Sequence, residues 1–122
     1  MAVIDQIQQD VENLRATVPE LRGVVLATND GQPLAYSLSP DVEPHRIATM
    51  AAAASSLGRR VSDSLQVGSL HEISLSSSDG QVFLYNAGGK GVLAVIGPTG
   101  ANTGLIHLEA RWAAREIGER MS

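Results

Sequence analysis

A chain of 122 residues has the length of a single domain, read here as spanning 1–122, and at this size it buries roughly two-thirds of its unfolded surface, so a true core is available. A net charge of -4 and only four aromatic residues, Tyr36, Phe83, Tyr85 and Trp112, argue against nucleic acid, which calls for a basic face and planar stacking platforms. With no cysteine, neither a disulfide framework nor a thiolate metal site is possible, and nothing requires an oxidising compartment.

The first residues, MAVIDQIQQDVENL, place acidic groups in the opening turns and lack the basic flank and apolar stretch of a secretory signal. No run approaches the roughly 18 consecutive apolar residues of a membrane span. A cytoplasmic protein without membrane contact is expected. Val3, Ile4, Ile7, Val11, Leu14 and Val18 recur every three or four positions, which predicts an amphipathic helix ending near Pro19. Residues 23–28, GVVLAT, are a continuous apolar run too short for a helix, and Asn29-Asp30-Gly31 then signals a hairpin. The return strand, 32–38, carries Pro33, which has no N–H for a ladder, so the strand is expected at a sheet edge or with its proline at an edge-like position.

Residues 44–65 read as the central helix. Pro44 suits the first helical position, and Asp41 and Glu43 put negative charge at the positive end of the dipole. Ile47, Met50, Ala51, Ala54, Leu57, Val61 and Leu65 form an apolar stripe expected to face the core. The remaining surface is lined by Ala48, Ala52, Ser55, Ser56 and Ser62, small enough for another backbone to come close, with Arg59 the only large neighbour. Gly68 is the expected C-terminal cap.

Three strands follow, 70–77, 81–87 and 91–96, joined by Asp79-Gly80 and Gly88-Gly89-Lys90, turns short enough to force antiparallel neighbours. The run Val92 to Ile96 is apolar throughout and belongs mid-sheet, whereas 70–77 carries His71, Glu72 and serines and belongs at a margin. The sheet order 2-1-5-4-3 satisfies both. After Gly97-Pro98, Thr99 or Asn102 caps a last helix bearing Leu105, Ile106, Leu108, Trp112, Ala113, Ile117 and Met121. The fold class is α+β, α-β-β-α-β-β-β-α, with a five-stranded antiparallel sheet.

The GVVLATNDGQPLAYS hairpin, the alanine-rich helix, the GKGVLAVIGP strand and the ANTGLIHLEARWAAREIGERM ending, in that order, resemble the roadblock/dynein light-chain family. The resemblance covers essentially the whole chain and rests on the ensemble, since no piece is a catalytic signature. It implies the central helix on one face of the sheet and the terminal helices on the other. It also implies a dimer formed through the central helix and third strand, and association with a small Ras-like GTPase. Carried onto this sequence, the subunit contact falls on Ala48, Ala52, Ser55, Arg59, Ser62, Leu70, Glu72 and Ile73, and the GTPase-facing side on His45, Arg60 and Asp63.

Chemistry is otherwise sparse. Gly88-Gly89-Lys90-Gly91 fails the phosphate-loop spacing, because position 84 is Leu and position 91 is Gly where Ser or Thr is required. His45, His71 and His107 have no metal-binding spacing, and the serines form no GxSxG elbow. The expected function is a non-enzymatic dimeric regulator or scaffold of a small GTPase, with no cofactor and no metal. The rivals are a purely structural dimerisation module and, third, a small-molecule sensor.

Overall fold

The computed structural model describes residues 2–122. Its elements are α1 (Val3–Thr17), β1 (Gly23–Thr28), β2 (Pro33–Ser37), α2 (Pro44–Ser64), β3 (Glu72–Ser77), β4 (Gly80–Ala87), β5 (Gly91–Gly97) and α3 (Thr103–Met121). The five strands form one sheet in the order β2-β1-β5-β4-β3, antiparallel at every step. The central strands β1 and β5 are the continuous apolar runs, and Val24, Val25, Leu26, Val92, Leu93 and Val95 are fully buried. Pro33 opens the edge strand β2, opposite Ala27, where a bulge shifts the register and absorbs the missing donor.

Alternation along the strands makes two unlike cores. On one face Leu26, Phe83, Tyr85, Leu93 and Val95 pack with Ile7, Val11 and Leu14 of α1 and Ile106, Ala110 and Ile117 of α3. On the other face Val25, Ala27, Leu84, Val92 and Ala94 meet α2 through Ala48 and Ala51. The helix placement implied by the resemblance is therefore the observed one. Asn102 caps α3, its side chain accepting from the Leu105 N–H at 3.1 Å, and Glu43 caps α2 by accepting from the His45 N–H at 3.1 Å.

The rotation of α2 about its axis differs from the expectation. The small residues Ala48, Ala52 and Ser55, expected to meet a second subunit, are buried in the single chain, at 0%, 6% and 2% exposure. Of the stripe expected to face the core, Met50, Leu57, Val61 and Leu65 are 48–68% exposed, Ile47 and Ala54 are half-buried, and only Ala51 is buried. The cause is closeness: Gly31 on the hairpin lies so near that an added Cβ would sit 3.3 Å from the Cα of Thr49. At such a separation alanine, serine and glycine fill most of the space between helix and sheet, so the small face turns inward and all the large side chains but the half-buried Ile47 are turned out. Gly58 repeats the device at the other end, where a Cβ would come within 2.8 Å of Ile73 and 3.0 Å of Leu70.

The end of α2 also departs from expectation. Leu65 is the C-cap, and Gln66, at φ 56°, takes the left-handed position expected of glycine. The Val67 N–H reaches the Ser62 carbonyl at 3.1 Å and the Gln66 N–H the Asp63 carbonyl at 3.2 Å, the two bonds of a Schellman motif. Gly68, at φ 95°, turns the chain onward toward β3. Gln66→Gly is expected to stabilise the protein by about 0.5–1 kcal/mol in denaturant melts, because it relieves the Cβ penalty of the left-handed residue.

Candidate functional site

The outward face of α2 and the margin of the sheet beside it form one continuous apolar surface. The helix lies mainly over β1, β5 and β2 and covers its own side of β3 and β4 only in part: Leu84 is buried and Ile73 half-buried, while Leu75 stays exposed. The resulting groove, about 270 Å³, is lined by Ile47, Met50, Ala51 and Ala54 of α2 and by Leu75, Val82, Leu84, Ala94 and Ile96 of the sheet. Nearly all of its lining is carbon. Leu57, Val61 and Leu65 continue it along the helix, and Val67 just beyond is 73% exposed. Exposed apolar side chains scattered singly are ordinary, but a contiguous patch of this kind marks an interaction site.

At the border of that surface runs the free edge of β3. The Asn86 N–H donates to the His71 carbonyl at 3.3 Å, and Glu72 stands opposite Tyr85. Antiparallel alternation then turns the N–H and C=O of Glu72, Ser74 and Ser76 toward the open side. Ile73 and Leu75, opposite Leu84 and Val82, lie on the α2 side of the sheet. An unpaired edge next to an apolar groove is a template for another strand with an apolar partner helix beside it.

The other side of the β3 edge is polar. Arg111 of α3 grips the Glu72 carboxylate with two nitrogens, Nε at 2.9 Å and Nη2 closer still. His107 Nδ1 is 3.8 Å from the same carboxylate and 2.9 Å from the Tyr85 hydroxyl. Its ring stands edge-on to Phe83 and Tyr85, with centroids 5.0 and 5.9 Å away. The hydrogen bond from Arg111 holds the Glu72 carboxyl below its usual range, against the opposing effect of burial. Burial, reinforced by the nearby Glu72 charge, pushes the Tyr85 phenol well above its usual range.

The tyrosine shift gives a pH test. With a folded-state pKa raised above the ordinary 10.0, Tyr85 contributes stability that is complete below pH 10 and is lost as pH rises beyond it, because the unfolded chain ionises first. Denaturant melts of wild type and Tyr85→Phe between pH 8 and 11 are expected to run parallel up to about pH 10 and diverge above it, only the wild type steepening.

The remaining sequence-predicted residues distribute as follows. Ser62, Leu70 and Glu72 line a polar cavity of about 700 Å³ at the start of β3, with His71, Tyr85, Arg111 and Arg115. Leu70 and Ile73 are half-buried against Gly58. Arg59 lies on another flank, over the β4–β5 turn, in a small recess with Asn29, Asn86, Gly88, Gly89 and Gly91. His45, Arg60 and Asp63 are all exposed. Sequence reasoning missed the set Glu72, Tyr85, His107 and Arg111, whose members sit on three elements; the one local signal is the i, i+4 spacing of His107 and Arg111 on α3. Among the described residues no three His, Asp or Glu side chains converge as metal ligands, and no helix is long and apolar enough to cross a membrane.

Comparisons with known proteins agree with this architecture. MJ1340, an uncharacterized protein of Methanocaldococcus jannaschii, is 27% identical over 97 residues, covering 80% of this chain and 84% of the relative. The Roadblock/LC7 domain of Streptomyces avermitilis superposes with a TM-score of 0.86 at 22% identity, covering 93% of this chain and 96% of that one. MglB of Myxococcus xanthus superposes at 0.88 with 15% identity, covering 95% and 87%. These structures share the fold, and the sequence model of the Roadblock/LC7 domain matches residues 7–97. The chain therefore belongs to the Roadblock/LC7 family.

Proposed function

We propose that this chain is a non-enzymatic, dimeric regulator or scaffold that binds a small Ras-like GTPase through surfaces built on α2 and β3. The observation that carries the reading is the junction of the apolar α2 face with the unpaired β3 edge. Two copies related by a twofold axis satisfy both at once, because β3 pairs with its own copy while Leu57, Val61 and Leu65 are covered by the facing helix. The dimer contact thus runs through Leu70, Glu72, Ile73 and Leu75 and through the large residues of α2, in place of its small ones. Family membership supports this reading, because the resemblance implies a dimer and a GTPase partner.

On the α2 surface left outside such a contact, His45, Arg60 and Asp63 lie along one exposed flank and offer two cationic or polar groups and a carboxylate to the GTPase. No phosphate loop is present, so any influence on hydrolysis acts by positioning groups of the GTPase itself. The experiment is retention of small GTPases encoded in the same genome on the immobilised protein, each loaded with GDP or a non-hydrolysable GTP analogue. Nucleotide-dependent retention of at least one is expected, weakened by Arg60→Glu. No retention of any of them by an intact dimer would leave the structural dimerisation module and the small-molecule sensor.

A further inference from the structure

We infer that the outer face of α3, with the groove between it and α1, docks a cationic amphipathic segment of another protein. This surface lies on the side of the sheet away from α2, so it goes beyond the reading above.

Its centre is an apolar ridge. Trp112, the only tryptophan of the chain, is 62% exposed, and Leu108, one helical turn earlier, is 66% exposed. An indole left this open on a well-packed helix is uncommon, and tryptophan is among the side chains that most often anchor a partner. The helix docks firmly beneath the ridge, where Ile106, Ala110 and Ile117 are fully buried.

Charge on the flank of the ridge selects the partner. A groove of about 360 Å³ runs along Trp112, walled by Asp10, Asn13 and Thr17 of α1 and by Glu109 and Glu116 of α3. Asp10 is taken by Arg120 at 2.7 Å, whereas Glu109 and Glu116 form no ion pair among the described residues. Two carboxylates beside an exposed indole, neither in a salt bridge although Glu116 lies within reach of the Arg120 charge, suit a lysine or arginine, whose head meets the carboxylates while its stem lies on the ring. Arg111 and Arg115 occupy the opposite flank of the ridge, by helical spacing and by their place in the polar cavity. The cationic stripe of the partner therefore has one favoured orientation, and an acidic segment is repelled from the groove.

Trp112 reports on its own surface, since no other tryptophan emits. The probe is a helical peptide of leucine and lysine with one apolar and one cationic face. A saturable blue shift of Trp112 emission is expected, at one peptide per chain and weakening with salt. Glu109→Lys combined with Glu116→Lys is expected to weaken binding about tenfold or more, while the same charge change at exposed Asp41 and Asp79 alters it by less than about twofold. Circular dichroism checks that both double variants are folded. The inference is overturned by the absence of a saturable shift, by an equal loss in the control variant, or by an equal response to a leucine–glutamate peptide. It is also overturned if Trp112→Ala lowers the assembly state of the protein alone, which would make a second copy the occupant.

Discussion

Replacing Leu57 or Val61 with glutamate is expected to convert a dimer into a folded monomer. Both side chains are about half or more exposed in the single chain, at 60% and 48%, so the monomer core loses nothing. In the proposed assembly each lies against the facing helix, and a carboxylate placed there is desolvated without a counter-charge, twice per dimer because of the twofold symmetry. The dissociation constant is expected to rise about a hundredfold or more, which sedimentation at micromolar concentration detects as loss of the dimer. An unchanged dimer would remove α2 from the interface. Arginine at Ala52 or Ser55 asks a different question, since both side chains lie between α2 and its own sheet and the expected outcome is unfolding.

The second large effect concerns α3. Gly118 sits where the helix crosses the β4–β5 turn, and a Cβ built there would lie 2.5 Å from the Gly88 nitrogen and 2.9 Å from the Ala87 carbonyl carbon. Both obstacles are backbone atoms, so no side chain can swing aside. Gly88 itself holds a positive φ of 62°, which ties the turn to that shape. Gly118→Ala would gain about 1 kcal/mol of helix propensity in isolation. The clash reverses the sign, and a net loss of about 2–3 kcal/mol is expected in denaturant melts, with a larger loss for Gly118→Val. A neutral or stabilised alanine variant would show that α3 can lift off the turn. Such lifting is resisted by Arg120, which reaches back to Asp10 at 2.7 Å and to Gln6 at 3.2 Å. From sequence that arginine reads as one more charge on a solvated helix.

Much of the fold is legible in the residues because local chemistry and global position agree. The apolar runs in β1 and β5 can only be central, Pro33 can only be marginal, and short turns at Asn29-Asp30-Gly31, Asp79-Gly80 and Gly88-Gly89-Lys90 leave antiparallel pairing as the one outcome. Periodicity identifies α2 as amphipathic but does not say which of its two faces is dry. A stripe of large apolar residues and a stripe of small ones are both candidates for burial, and hydrophobicity favours the large one. The choice is made by the distance between helix and sheet, which depends on Gly31, Gly58 and the small side chains Ala27 and Ala94 beneath, all from other parts of the chain or other turns of the helix. The same limit hides the carboxylate grip of Arg111 on Glu72 and the open indole of Trp112.

The amino-acid sequence by itself determined the order of elements, the strand order and the Roadblock/LC7 family, because each follows from patterns within one segment or from the succession of segments. Only the tertiary structure decided which face of α2 is left exposed, and that α3 carries a second exposed face, because burial is a property of the space between elements and no single element encodes it.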